Sequence, residues 1–194
     1  MRNQKSLLLP DGVSALTRRS VVLAGACVPA FLCTPAMASD FWSRPRRLWL
    51  QRQTPNGLEE HRAIYFADGK LVWDEYVRFC HLLRDVQANK AVQMSPVLLD
   101  ILCGLQGLAR ANGNDAPLMT TSGYRSPATN ARTEGAARDS HHMKGRAWDG
   151  RLLGLPARIV AESARYLQGG GVGLYLDRKF IHVDDGRLRY WTGK

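Results

Sequence analysis

Apolar residues follow two rhythms along this chain, and the change comes near residue 117. Between residues 74 and 111 they recur every three or four positions, the spacing of one helix face. Tyr76, Val77, Cys80 and Leu83 form one stripe, which predicts a helix from a cap at Asp74 to about Gln87. Leu98, Leu99, Leu102, Leu105 and Leu108 form a second, from Pro96 to about Ala111. Ser95-Pro96 opens that second helix with a hydroxyl cap and a proline where no amide hydrogen is needed. Asn112-Gly113 stops it. Upstream, Arg62–Phe66 and Lys70–Trp73 flank Asp68-Gly69, the turn signal of a β-hairpin. Residues 39–60, rich in Arg, Pro, Gln and Asn, read as a lead-in that docks on a domain spanning 61–194.

Beyond Pro117 the apolar runs shorten to strand length. Leu118–Thr121, Ala147–Leu153, Val172–Leu176, Phe180–Asp184 and Arg187–Trp191 read as strands, and Leu155–Gln168 as a helix. A long polar loop, opened by Ser122-Gly123-Tyr124-Arg125-Ser126-Pro127, separates the first two strands. Residues 128–146 contribute few apolar groups, and a loop of that length without a core role is more often functional than idle. The glycine run at 169–171 is no phosphate cradle: Leu174 takes the last position of a G-x-G-x-x-G pattern, and no helix follows. It reads as a tight connection. The predicted architecture is α+β, with packed helices against a small, largely antiparallel sheet.

The first 38 residues stand apart. Thr17-Arg18-Arg19-Ser20 precedes an apolar run from Val21 to Leu32, and Ala36-Met37-Ala38 supplies an A-x-A cleavage site. The run holds 12 residues and includes Pro29, too short for a membrane span. This reads as an export signal; its paired arginines favour the twin-arginine route, although Val21 stands where a phenylalanine is usual, and an ordinary secretory signal is the alternative. Removing its four basic and one acidic residues from 27 and 17 leaves 23 and 16, a formal charge of +7. Such a charge favours an anionic polymer. Cell wall is acidic and lies where an exported protein is sent, whereas nucleic acid, which fits on charge alone, is rarely met there. Cys80 and Cys103 remain after cleavage, both within apolar helical patterns; they read as two buried small hydrophobes or, in an oxidising compartment and if their helices pack together, a disulfide, and with no C-x-x-C they cannot form a cysteine zinc site.

The chemistry lies in Ser140-x-His142-x-x-Gly145-x-Ala147-x-Asp149 and, further on, His182-Val183-Asp184. Gly145 frees the backbone so that His142, before the turn, and Asp149, on the strand after it, face one point. Two imidazoles and a carboxylate suit one tetrahedral zinc with an open fourth position, which implies a coordinated water and hydrolysis. Asp184, two residues from His182 on a strand, shares its face. It has two available roles, orienting His182 or accepting a proton from the water. Arg125 is a candidate for the developing oxyanion, the alternative being a structural arginine that pins the Ser126-Pro127 turn.

These motifs, with Gly170-Gly171-Val172-Gly173-x-Tyr175 and Phe180-x-His182-x-Asp184, resemble the zinc D-alanyl-D-alanine peptidases, whose fold hedgehog domains share. Within that group the chain is most similar to exported murein endopeptidases. The resemblance runs from about residue 48 to the end. It implies zinc on His142, Asp149 and His182, a carbonyl-polarising Arg125, and a Ser140 that holds substrate or site geometry. The dipeptidase branch carries a glutamate base three residues before the last histidine; here that position is Lys179, which leaves Asp184 as the candidate base. The implied activity is peptidoglycan endopeptidase in the periplasm, on cross-links between two diaminopimelate residues. A carboxypeptidase on the same polymer and a non-catalytic zinc-containing wall-binding module are the rivals.

Overall fold

A computed structural model describes residues 44–193, so the export signal expected at 1–38 lies outside the described residues. Within the segment expected to be a lead-in, the described residues from 46 onward instead form strands inside the sheet. Strands β1 (Arg46–Thr54) and β2 (Gly57–Ala67) form a hairpin through Pro55 and Asn56. Gly57, at φ 119°, supplies the backbone conformation that lets the chain leave this turn. Leu48 and Leu50 point into the core, but the next two inward positions are Arg52 and Thr54. The Arg52 guanidinium is buried because it donates to the carbonyls of Leu82 and Arg84. Inward polar residues satisfied from a distant loop hide the strand alternation, which is why this segment did not read as a strand.

The hairpin predicted at Asp68-Gly69 is present between β2 and β3 (Lys70–Leu71), with both turn residues at positive φ. The other strands are β4 (Leu118–Ser122), β5 (Ala147–Leu152), β6 (Gly171–Tyr175), β7 (Phe180–Asp184) and β8 (Arg189–Gly193). All eight join one sheet in the order β3-β2-β1-β4-β5-β7-β6-β8. Neighbours run antiparallel except β1 with β4 and β6 with β8. The architecture is α+β and the sheet is largely antiparallel, but it is not small.

Helices α1 (Trp73–Leu82), α2 (Pro96–Ala111) and α4 (Ala157–Leu167) pack on this sheet, α1 and α2 over β1 and β2 and α4 over β6 and β7. Helix α2 has the predicted bounds, with Ser95 Oγ accepting from Leu98 N and Leu98, Leu99, Leu102 and Leu105 buried. Helix α1 is shorter than expected and rotated. Its buried residues are Tyr76, Phe79, Cys80 and Leu82, whereas Val77 is exposed. It stops at Leu82 because the following turn is claimed by Asp85, whose carboxylate accepts from Ala88 N and Ser126 N. Cys80 and Cys103 are buried, unpaired thiols, filling the core as small apolar groups. The polar loop contains a short helix, α3 (Pro127–Arg132), and a 3₁₀ turn at His141–Lys144.

Strand alternation then divides labour between two faces. In β7, Ile181 and Val183 enter the core, while Phe180, His182 and Asp184 point to the opposite side. In β5, Trp148 is fully buried and donates to Thr120 Oγ1, while Asp149 faces away with His182, its direct partner across the strands. One set of strands thus carries core on one side and chemistry on the other.

Candidate metal centre

Three local devices bring His142 to this face. Ser140 caps the 3₁₀ turn, its Oγ accepting from His142 N at 3.3 Å. Gly145 ends the turn at φ 65°, where a Cβ would also stand 3.0 Å from Gln93 O. Its carbonyl accepts from Ser95 N, which ties the turn to the start of α2. Finally, His142 Nδ1 lies 2.6 Å from Gly123 O. Gly123 sits so close to Leu83 O that no side chain fits, and Tyr124 N donates to the same carbonyl. The Ser-Gly-Tyr-Arg sequence is therefore a docking point for the turn that aims His142.

His142, Asp149 and His182 converge, with one ligand atom from each lying within 4.8 Å of the others. His142 Nε2 is 3.2 Å from Asp149 Oδ2 and 3.3 Å from His182 Nδ1, and His182 Nδ1 is 2.7 Å from Asp149 Oδ1. The outer ring nitrogens have acceptors of their own. His142 Nδ1 faces a carbonyl, and His182 Nε2 faces the Asp184 carboxylate at 2.8 Å, so each of those nitrogens carries its hydrogen. Neutral rings then turn two nitrogen lone pairs and a carboxylate toward one buried point. A cluster made only of acceptors needs a cation, and this donor set and its spacing fit a divalent metal.

The electrostatics agree. Burial opposes a charged Asp149, but the two imidazoles outweigh it and hold the carboxyl below the usual range. For His182 burial again opposes charge, and hydrogen bonds to Asp149 and Asp184 prevail, raising its pKa.

Arg125 donates from Nη2 to Asp149 Oδ2 at 2.6 Å and from Nε to Ser122 Oγ at 2.9 Å. It is a member of the site and does not pin the turn at Ser126, whose backbone N–H goes to Asp85. Asp184 is fully buried. Its Oδ1 accepts from Gly186 N and Arg189 Nη1, and its Oδ2 from His182 Nε2 and Arg189 Nη2. His141, the other histidine of the pair, packs against Gly186, and a Cβ there would stand 3.0 Å from its Nε2.

Sequence reasoning missed Arg189 and Trp191, the latter with its ring centroid 5.3 Å from that of His182. The available signal was Gly171 and Gly173, two glycines on one face of a strand, which mark a close approach by neighbours.

The protein family described as peptidoglycan L,D-endopeptidase MepK matches residues 43–191, which includes every site residue named above. The chain belongs to this peptidase family. It is similar to the peptidoglycan L,D-endopeptidase MepK of Escherichia coli (strain K12), 36% identical over 186 residues, covering 93% of this chain and all of that protein. It is also similar to the probable peptidoglycan L,D-endopeptidase MepK of Haemophilus influenzae, 38% identical over 117 residues, covering 58% of this chain and 62% of the relative. No solved structure matches.

Proposed function

We propose that this protein is a zinc-dependent peptidoglycan endopeptidase that hydrolyses the amide joining two diaminopimelate residues of neighbouring stem peptides. The observation that carries the reading is the acceptor-only cluster of His142, Asp149 and His182 in a chain of the MepK family. Zinc held there would supply a Lewis acid and lower the pKa of a coordinated water to about 7.

The chain's own residues supply the rest. Arg125, anchored by Ser122 and Asp149, keeps its Nη1 hydrogens uncommitted among the described residues, and they are suited to the carbonyl oxygen of the scissile amide. Four donors already occupy the two oxygens of Asp184, which supports the orienting role over proton acceptance. Ser140 is buried and spent on the cap of the His142 turn, which supports a role in site geometry over substrate contact. Residues 1–38 deliver the enzyme to the periplasm through the twin-arginine route, where the basic mature chain meets an anionic wall.

The test is digestion of cross-linked peptidoglycan by the purified protein, with product masses determined with and without a chelator. The reading expects cross-linked dimers to disappear at the diaminopimelate bond, with activity abolished by chelation and restored by zinc. Release of terminal D-alanine alone would make it a carboxypeptidase, and binding without any product would make it a wall-binding module.

A further inference from the structure

We propose that Arg189 is a positioning residue of the metal centre: across the side-chain-free rungs at Gly171 and Gly173 it clamps Asp184, and with Trp191 it fixes the His182 ring. This rests on the metal reading above.

The registers place the relevant residues on two successive rungs. Asp184 lies opposite Gly171, which lies beside Arg189; His182 lies opposite Gly173, which lies beside Trp191. The middle strand has no side chains on this face at either rung, so groups from β7 and β8 meet over it. A Cβ on Gly171 would stand 2.6 Å from Asp184 Oδ2 and would overlap the Arg189 guanidinium. A Cβ on Gly173 would stand 2.5 Å from Trp191 Cε2. Both glycines are spaces that other side chains fill.

The contact itself is a two-pronged one. Arg189 Nη1 and Nη2 reach the two oxygens of Asp184 at 3.0 and 2.7 Å. A planar guanidinium fixes the plane of the carboxylate it grips, which a single hydrogen bond would not do. That plane decides where Oδ2 points, and Oδ2 is the acceptor for His182 Nε2–H. The hydrogen on Nε2 in turn leaves Nδ1 bare toward Asp149 and His142. Trp191 holds the ring from the side, its own Nε1 donating to Tyr175 OH at 3.1 Å and Arg189 lying 5.1 Å from its centroid.

Strand β8 has little other purpose in the core. No residue of it is buried, it pairs only with β6 among the described strands, and Tyr190, on its other face, is half-exposed beneath the Arg165 guanidinium of α4. Its inward contribution is to the site. Without Arg189 a fully buried carboxylate would keep only His182 and one backbone N–H, and no fork would fix its plane.

The experiment measures zinc affinity of the metal-free full chain by competition with a fluorescent chelator, in the wild type, Arg189→Met, Arg189→Lys and a distant control, Arg62→Ala. A second readout follows exchange of the His182 ring N–H in the zinc-loaded proteins by ¹⁵N spectroscopy. Arg189→Met is expected to bind zinc about 10–100-fold more weakly, with faster ring N–H exchange and an ordered fold by thermal unfolding. Arg189→Lys, which keeps the charge but not the fork, should fall between, and Arg62→Ala should match the wild type. Wild-type affinity and unchanged exchange in Arg189→Met would overturn the proposal. Should the methionine variant not fold, Arg189→Lys decides by the same two readouts. A wild-type protein that takes up no zinc would instead overturn the metal reading itself.

Discussion

The two ends of the sheet are built differently. At one end β1 and β2, of nine and eleven residues, are covered by α1 and α2 and held by Leu48, Leu50, Tyr65 and the leucines of α2. At the other, β6, β7 and β8 have five residues each, and their open face carries charged and aromatic groups meeting over glycines. The first end gains from buried apolar area, which is non-directional and tolerant. The second depends on hydrogen-bond direction, where a small displacement matters to a ligand set. The strands of the second end still bury Ile181 and Val183 behind the site, so the chemistry stands on a packed support.

That contrast can be broken from either side. The largest expected effect is on the site. Asp149→Asn keeps the size of the side chain but removes an anionic ligand, and several kcal/mol of lost transition-state stabilisation correspond to a fall of about 10³-fold or more in kcat/KM. Leu102→Ala, at a fully buried position of α2, is the converse. Urea unfolding should show a loss of about 2–5 kcal/mol, while the folded molecules bind zinc like the wild type.

Asp85 joins the two ends, since it stops the turn after α1 and receives Ser126 N at 2.8 Å from the arginine loop. Burial works against its charge, but hydrogen bonds from Thr129, Ser126 and Ala88 outweigh it and lower its pKa from 3.8 to about 2. A depressed folded pKa stabilises above the unfolded value and loses that contribution as pH falls through the folded one. The Asp85→Asn variant should therefore be less stable than the wild type at pH 6 by about 2 kcal/mol. The gap should close between about pH 4 and pH 2. Urea midpoints at several pH values check this, and a gap that stays constant with pH would assign Asp85 a role independent of its charge. The smallest effect belongs to Ser140→Ala, which loses one cap and costs about 1 kcal/mol. Activity there should fall only a few-fold, through looser placement of His142; a loss as deep as that of Asp149→Asn would mean that Ser140 touches substrate.

What could be read from the sequence follows the same division. Helix α2 was legible in its bounds because Ser95-Pro96, the leucine spacing and Asn112-Gly113 are all local signals. Strand β1 was not, because Arg52 is inward-facing and satisfied by carbonyls some thirty residues away. The helix face of α1 differs from the expected stripe at Val77, because packing against β2 buries Phe79, whose ring lies edge-on to Tyr65. In the site, His142, Asp149 and His182 could be named because the turn glycine and strand spacing accompany them in sequence. Arg189 could not, because its meaning arises only when β8 lies beside a strand whose glycines leave room. Residues that act through a neighbouring strand leave their mark on that strand and not on their own.

The most direct measurement is stoichiometric reactivation. Metal-free protein is titrated with zinc while cleavage of a defined peptide dimer, joined through a diaminopimelate–diaminopimelate amide, is followed by mass. One site made of His142, Asp149 and His182 predicts activity that rises linearly and saturates at one equivalent, with no response in Asp149→Asn. Cleavage at full rate by the metal-free protein, or saturation only at two equivalents, would contradict the account.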